Sequence, residues 1–274
     1  MKIAVICRDE PRHLFFVGEI GRVFGVDGLI LQRKLPLIRR LAKSRGRGCV
    51  RELYKAIRQC LTGRMRKEAL FFFDSFFPTP LRGVHHVVET VDVNDASTLD
   101  TLRRCQPDVI LTFGCSILHD PEFFEIPRFG IINLHSGIVP RYRGVDNVYW
   151  CLYNGEPAMI GATIHYIDQR IDTGDVLAQV FPEIGSQDDE AALFNKTIAC
   201  GIDLLIQVLT DMRDSGARLP GKVQQGESVL YQEKQRNLWT DWKTAKMLRS
   251  GVLRNAARPS RRALFYENTV AVCD

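Results

Sequence analysis

An amide, an imidazole and a carboxylate stand at spacings that suit one reaction site. Asn133 and His135 alternate with apolar residues at the end of the run Gly130-Ile-Ile-Asn-Leu-His135, and Asp172 follows 37 residues after the histidine. Residues two apart on a strand project to the same side, so both side chains could face one cleft. Acyl transfer to an amine needs donors for the developing oxyanion, a proton acceptor and a carboxylate that orients the imidazole. The three residue types meet those needs, although each alone has an ordinary structural use.

Strands and helices alternate along the first half of the sequence. Predicted strands cover residues 3–7, 26–32, 86–91, 108–113 and 130–135, and predicted helices cover 13–24 and about 95–105. The strands are uninterrupted apolar runs, which is typical of a parallel sheet with helices on both faces. We therefore predict an α/β, Rossmann-like fold with a doubly wound, mostly parallel sheet. Ligands bind such sheets at the carboxyl ends of the strands, where Asn133 and His135 lie.

The second half continues with similar elements. A helix is predicted over 146–154, strands over 161–166 and 175–181, and a long core helix that Ser186 opens by a capping pattern and that ends near Ser215. No Gly-x-Gly-x-x-Gly follows the first strand, which disfavours a dinucleotide cofactor. The eight cysteines are scattered and indicate neither a zinc site nor a disulfide framework. We expect no signal peptide and no transmembrane segment, and hence a cytoplasmic protein.

The most unusual composition lies in residues 33–67. Thirteen Lys and Arg residues stand there against the single acid Glu52, so the segment carries +12 while the whole chain carries +5. Apolar residues at helical spacing predict a basic helical insertion, about residues 33–77 with the aromatic run that follows. Such charge suits a phosphate-bearing partner, whether nucleotide sugar, tRNA or an anionic membrane, and equally suits a solvated face. The run Phe71-Phe-Phe-Asp-Ser-Phe-Phe77 would pack the insertion down or join a homodimer.

Three stretches carry a family resemblance: Asn133-Leu-His-Ser-Gly-Ile-Val-Pro-Arg-Tyr-Arg-Gly144, Gly161-Ala-Thr-Ile-His-Tyr-Ile-Asp168 and Ile171-Asp-Thr-Gly-Asp175. They resemble the folate-dependent formyltransferases, which include glycinamide ribonucleotide, methionyl-tRNA and nucleotide-sugar formyltransferases. The resemblance is strong from about residue 107 to 179. It implies 10-formyltetrahydrofolate as formyl donor. It also implies that Asn133, His135 and Asp172 are the catalytic residues, with His135 as an imidazolium held by Asp172.

The resemblance further implies where the two substrates bind. The pterin of the donor would lie between the loop after the fourth strand and the loop that leads to Asp172, lined by Phe113, Gly114, Leu118, Ile167 and Asp168. Candidate contacts to the acceptor are Arg141, Tyr142, Arg143 and Trp150. One departure is Gly137, where the family usually has Ser, and it bears on the acceptor more than on the reaction.

The predicted domain organisation limits which class of acceptor the chain would use. We predict a formyltransferase domain over 1–220 and a short carboxy-terminal subdomain or tail over 221–274, too small for a typical domain. Methionyl-tRNA formyltransferases usually append a larger barrel, so tRNA is the less favoured acceptor. The sugar branch resembles the chain most, which predicts transfer to the primary amine of a nucleotide-linked amino sugar. A tRNA-directed enzyme and a formyl-folate hydrolase are the alternatives.

Overall fold

A computed structural model describes residues 1–73 and 81–266. Its strands are Ile3–Arg8 (β1), Gly28–Gln32 (β2), Val87–Thr90 (β3), Val109–Phe113 (β4), Ile131–His135 (β5), Tyr142–Gly144 (β6), Ala162–Tyr166 (β7), Val176–Phe181 (β8), Val229–Tyr231 (β9) and Arg261–Leu264 (β10). Its α-helices are Pro11–Val23 (α1), Leu37–Lys43 (α2), Arg47–Thr62 (α3), Arg64–Phe73 (α4), Ala96–Cys105 (α5), Glu122–Glu125 (α6), Asn147–Asn154 (α7), Glu190–Ser215 (α8) and Leu238–Arg249 (α9). Short 3-10 helices lie at Pro157–Met159, Glu233–Gln235 and Arg254–Ala256.

Eight of the strands form one sheet in the order β10-β8-β7-β5-β4-β1-β2-β3, and β6 pairs with β9 separately. The five strands from β3 to β5 are parallel, whereas β7, β8 and β10 are antiparallel to their neighbours. Both faces of the sheet are buried: Ile3 and Val5 of β1 join one core, and Ala4 and Ile6 join the core on the other face. This two-sided burial explains the uninterrupted apolar strands. The predicted α/β fold is confirmed.

The long helix α8 runs through the larger core and ends at Ser215 as predicted. It begins later than expected, because Asp189 is its N-cap and accepts a hydrogen bond from the Ala192 N–H at 2.7 Å. The capping role predicted for Ser186 is therefore wrong. Of the described helices, α8 alone is long and apolar enough to cross a membrane, a property the sequence analysis overlooked. More than half of its apolar window is buried against the rest of the fold, as in the core helix of a globular protein.

The basic insertion is helical as predicted, and it supplies α2, α3 and α4 between β2 and β3. Phe72 of α4 is buried against Phe15 of α1, whereas Phe71 is half exposed. Phe73 also contacts Phe15, and residues 74–77 of the run lie outside the described residues. Beyond the predicted boundary at residue 220, β9 pairs with β6, α9 packs on α7, and β10 extends the main sheet. The division at 220 stays a prediction.

Candidate functional site

A cavity of about 750 Å³ opens at the carboxyl ends of the parallel strands. The ends of β1, β4 and β5 form its floor, through Arg8, Phe113 and His135. The loop that carries Asp172 and the helices of the insertion form its walls. Its size lies within the range of about 300 to 1,000 Å³ that is usual for small-molecule sites.

The structure brings Asn133, His135 and Asp172 together on this floor. The Asn133 amide nitrogen Nδ2 lies 3.5 Å from Asp172 Oδ1, and His135 Nδ1 lies 3.4 Å from Asp172 Oδ2. Thr112 on the adjacent strand β4 donates its hydroxyl hydrogen to Asn133 Oδ1 at 3.0 Å. Because Oδ1 is occupied in this way, the amide nitrogen faces the Asp172 carboxylate and the His165 ring.

Asp172 is held by the backbone around it. The backbone of Asp172 adopts a left-handed conformation, with φ of 51°. The Gly144 N–H donates a hydrogen bond to Asp172 Oδ2 at 2.8 Å. Gln224 donates to the carbonyls of Asp172 and Gly174, which ties the loop from the outside. Gly174 has no room for a side chain, because a Cβ there would meet the Tyr166 carbonyl oxygen at 1.9 Å. The carboxylate is therefore fixed in position before any ligand arrives.

Sequence reasoning missed His165, which is the fourth polar group of the floor. Its Nε2 lies 3.1 Å from Asn133 Nδ2 and 3.6 Å from Asp172 Oδ1, and its ring is 1% exposed. The antiparallel register of β5 and β7 pairs Asn133 with His165 directly. The signal was a histidine at the next-to-last position of a predicted strand, but nothing in the sequence gave the register of that strand.

The pKa values of Asp172 and His135 depend on each other and on their surroundings. Burial alone would raise the pKa of Asp172, but the His135 and His165 rings and the Gly144 N–H together hold it well below its ordinary value. Burial lowers the pKa of His135, and the nearby Asp172 carboxylate offsets this effect only in part. The structure therefore favours a neutral imidazole beside an ionised carboxylate, in place of the expected imidazolium.

Both ring nitrogens of His135 are engaged inside the protein. Nδ1 faces Asp172, while Nε2 lies 2.9 Å from the Tyr142 carbonyl oxygen and 3.0 Å from Asn147 Nδ2. The backbone of Gly137 is close by: a Cβ at this position would lie 2.7 Å from His135 Nε2 and 2.8 Å from Asn147 Cγ. The Asn147 side chain thus fills the space that a serine at position 137 would use.

The five residues predicted to line the pterin pocket all face the cavity: Phe113, Gly114, Leu118, Ile167 and Asp168. Phe113 and Leu118 are also part of the cores below. Gly114 has a positive φ of 64°, and a Cβ there would lie 2.6 Å from His13 Nε2. The Asp168 carboxylate accepts hydrogen bonds from the Thr173 hydroxyl and the Arg170 N–H, and so holds the loop.

The four predicted acceptor contacts do not line the cavity. Tyr142 is fully buried and donates its hydroxyl hydrogen to Glu156, and Trp150 packs against the ring of Tyr231 in the smaller core. Arg141 pairs with Glu156 and Glu227. Arg143 donates to the Ile171 carbonyl and the Ser228 hydroxyl. The chain turns these side chains away from the cavity, and nothing in their spacing revealed that turn.

One wall of the cavity is basic. Lys34, Arg58 and Arg64 of the insertion line it, and Arg8 lies at the end of β1. Arg58 and Arg64 approach the Asp146 carboxylate only to 3.9 and 3.8 Å, and Arg64 also pairs with Glu68 at 2.8 Å. Lys34 pairs with Glu10. Within the described residues Arg8 has no ion pair or hydrogen bond, so its guanidinium is available to a bound anion.

Methionyl-tRNA formyltransferases are among the known proteins to which this chain is similar. The chain is 28% identical over 170 residues to a methionyl-tRNA formyltransferase from Halothermothrix orenii, over 60% of this chain and 54% of that protein. A second methionyl-tRNA formyltransferase, from Ralstonia nicotianae, is 32% identical over 51% of this chain and 42% of its own length. The chain therefore spans about half the length of the curated relatives it matches.

Among solved structures, a sugar N-formyltransferase from Shewanella sp FDAARGOS_354 has a TM-score of 0.55 at 15% identity, over 90% of this chain and 87% of that chain. At this identity the likeness shows the fold alone. A family model described as Formyl transferase matches residues 68–209. Since that match covers just over half of its length, the chain belongs to the formyl transferase family.

Proposed function

We propose that this protein moves a formyl group from 10-formyltetrahydrofolate to the primary amine of a nucleotide-linked amino sugar. The observation that carries the proposal is the convergence of Asn133, His135 and Asp172 on one cavity floor beneath a basic wall. The floor suits acyl transfer, and the wall suits an acceptor that bears phosphate. Family membership supports the reaction, and the size of the cavity supports two small-molecule ligands.

The floor has the donors and acceptors that formyl transfer needs. Asn133 Nδ2 would donate to the formyl oxygen as negative charge develops on it, and Asp172 would attract the positive charge on the attacking amine. A bond forms from the amine nitrogen to the formyl carbon, and the bond from that carbon to the folate nitrogen breaks. One proton leaves the amine for the Asp172–His135 pair, and one is returned to the folate nitrogen. The amine must be neutral to attack, so the rate should fall at acid pH.

The donor pocket rests on the loop after β4 and the loop before Asp172. Phe113, Leu118 and Ile167 offer apolar surface for a pterin ring, while the backbone beside Gly114 can approach it closely. When bound, the folate supplies the activated formyl group. A protein of the same fold from Helicobacter canadensis, described as an N-formyltransferase in complex with folinic acid and dTDP-3-aminofucose, supports pairing such a donor with a nucleotide sugar.

The acceptor class follows from the basic wall. Arg8 and the insertion residues Arg58 and Arg64 line the cavity, and Arg58 and Arg64 lie beside Asp146. Guanidinium groups form paired hydrogen bonds with phosphate oxygens, and they keep their charge at any working pH. A diphosphate there would leave the amino group of the attached sugar directed at Asp172.

A methionyl-tRNA acceptor is the second candidate, because the named curated relatives are methionyl-tRNA formyltransferases and the insertion carries +12. It makes a different prediction. Binding to tRNA would use many phosphate contacts along the exposed insertion, and affinity would fall steeply with salt concentration. Transfer to a nucleotide sugar needs only the few arginines that face the cavity.

The test follows the loss of 10-formyltetrahydrofolate absorbance with a panel of acceptors. The panel contains nucleotide-linked amino sugars, charged initiator tRNA, glycinamide ribonucleotide and a control without acceptor. Wild type is compared with His135→Ala and with His86→Ala, at an exposed histidine that does not line the cavity. We expect turnover only with an amino sugar, abolished in His135→Ala and retained in His86→Ala. Turnover with tRNA alone, or without any acceptor, would contradict the proposal.

A further inference from the structure

Helix α3 turns its apolar side to solvent. Val50, Leu53, Ile57 and Leu61 recur at helical spacing and form one stripe, with exposed fractions of 70%, 50%, 49% and 82%. A helix on the surface of a globular domain ordinarily turns such a stripe toward the core. Within the described residues, no element covers it. Ile38 of the neighbouring helix α2 adds a further exposed apolar side chain, at 81%.

Polar contacts hold α3 in this orientation. Its buried Glu52 accepts hydrogen bonds from Arg40 of α2 at 2.8 Å and from Lys55 at 2.9 Å. Lys55 also pairs with Glu233 at 2.5 Å, and the Tyr54 hydroxyl donates to Asp241 of α9. The inward side of α3 is thus the charged side, and its contacts fix the apolar stripe outward.

The surroundings of the stripe are basic and aromatic. In the described part of the chain, the side chains of four exposed cations of the insertion make no ion pair or hydrogen bond: Arg39, Lys43, Arg45 and Arg51. On α9, which the Tyr54–Asp241 contact joins to α3, Trp239 and Trp242 stack at 4.9 Å and are 65% and 53% exposed. Tryptophan is the residue that most favours the boundary between lipid and water.

We propose that this α2–α3 face docks on the surface of an anionic lipid bilayer. A helix with apolar residues on one side, basic residues on the other and low net hydrophobicity lies in the plane of such a surface. The unpaired cations complement lipid phosphates, and the stripe enters the acyl boundary. A second copy of the chain would set two insertions of +12 against each other, and RNA offers no surface for the stripe.

Docking would also position the cavity. Arg58 and Gln59 of α3 line the cavity wall from the helix whose other side bears the stripe. The cavity therefore opens close to the proposed membrane surface. An acceptor made or consumed at a membrane would reach it over a short distance.

The test measures co-sedimentation of the full chain with vesicles of phosphatidylcholine alone or with added phosphatidylglycerol. The apolar variant Val50→Gln/Leu61→Gln changes the two most exposed stripe residues, and the charge variant Arg39→Gln/Arg51→Gln removes two unpaired cations. The matched apolar control is Val87→Gln/Val223→Gln, at residues 52% and 64% exposed elsewhere. The matched charge control is Arg104→Gln/Arg128→Gln. Circular dichroism establishes that each variant is folded.

We expect wild type to bind the phosphatidylglycerol vesicles, with binding weakened by salt, and both controls to bind equally well. The charge variant should bind about 25-fold more weakly, since each of the two cations near the surface contributes about fivefold. The apolar variant should lose about tenfold or more. Failure of wild type to bind, equal binding to neutral vesicles, or an apolar variant that binds like wild type would overturn the proposal. A dimer in sedimentation velocity that Val50→Gln/Leu61→Gln abolishes would also overturn it, and would assign the stripe to a second copy.

Discussion

Asp172 stays ionised although only 12% of its side chain is exposed. The Gly144 N–H, the Asn133 amide and two imidazoles surround it, so the protein supplies the polar groups that water supplies elsewhere. Buried His135 is neutral and can take up a proton, and Asp172 beside it would stabilise the imidazolium that results. His135 would therefore gain a proton during the reaction and is not protonated before it.

Gly137 and Asn147 share one space beside His135. Gly137→Ser should lower kcat/KM about a hundredfold, because the added side chain would displace His135 or Asn147 and misplace the site by a fraction of an ångström or more. Gly137→Ser/Asn147→Ala should recover part of that loss, because it frees the space of the Asn147 amide while the Tyr142 carbonyl oxygen, 2.7 Å from the added Cβ, stays in place. Steady-state kinetics of both variants beside Asn147→Ala alone measures this. A double variant no better than Gly137→Ser would show that the two residues do not compete.

His13 should make the fold sensitive to mild acid. Burial lowers its pKa to about 3, with Arg12 contributing in the same direction. Between pH 6.5 and 3 the unfolded chain binds the extra proton, so stability is fully present above pH 6.5 and is lost as the pH falls. At pH 4.5 this amounts to about 3 kcal/mol, at 1.36 kcal/mol per pKa unit.

The measurement is urea unfolding at pH 7.5 and 4.5 for wild type and His13→Asn. The variant should lose about 3 kcal/mol less than wild type between the two pH values, whatever its stability at pH 7.5. His86→Asn, at an exposed histidine, should behave as wild type. Equal acid losses in wild type and His13→Asn would show that His13 is not held neutral.

At the scale of elements, the start of α8 gives a direct test of capping. Asp189→Ala should lower the free energy of unfolding by about 1 kcal/mol, because it leaves the Ala192 N–H without its acceptor. Ser186→Ala should change it by less than about 0.5 kcal/mol. Asp189→Asn keeps the cap and removes the exposed pair with Lys67, so it should resemble wild type. A loss in Ser186→Ala equal to that in Asp189→Ala would restore the capping pattern read from the sequence.

Most strands of the sheet were predictable because they are apolar runs with polar ends, and burial on both faces requires such runs. The edge strand β10 was not predicted, because half of it is exposed arginine. Asn133 and His135 were found from the same pattern, since strand alternation fixes the side to which both point. His165 and Trp150 show the limit. His165 reaches the site through the register of antiparallel strands, and Trp150 leaves it through packing against Tyr231. Neither the register of these strands nor the packing of Trp150 can be predicted from the local sequence pattern. The start of α8 was misplaced because several capping residues stand in succession, and only geometry selects Asp189.

At the scale of the whole molecule, charge is divided between two regions. Residues 33–67 of the insertion carry +12 and the other residues of the chain together −7. One side of the insertion lines the cavity, and the other carries the exposed stripe and the unpaired cations. The insertion would therefore have two roles. Its cavity side would bind the phosphate of the acceptor, and its solvent-exposed side would bind lipid phosphate.

The central claim is formyl transfer to a nucleotide-linked amino sugar at Asp172, and a competition measured by mass spectrometry tests it most directly. Wild type and Asp172→Asn are each incubated with 10-formyltetrahydrofolate, a mixture of nucleotide-linked amino sugars and charged initiator tRNA. Wild type should convert one amino sugar to its formamide and leave the tRNA unmodified, and Asp172→Asn should give at least about a hundredfold less product. Formyl-methionyl-tRNA beside unmodified sugars, or full activity in Asp172→Asn, would contradict the claim.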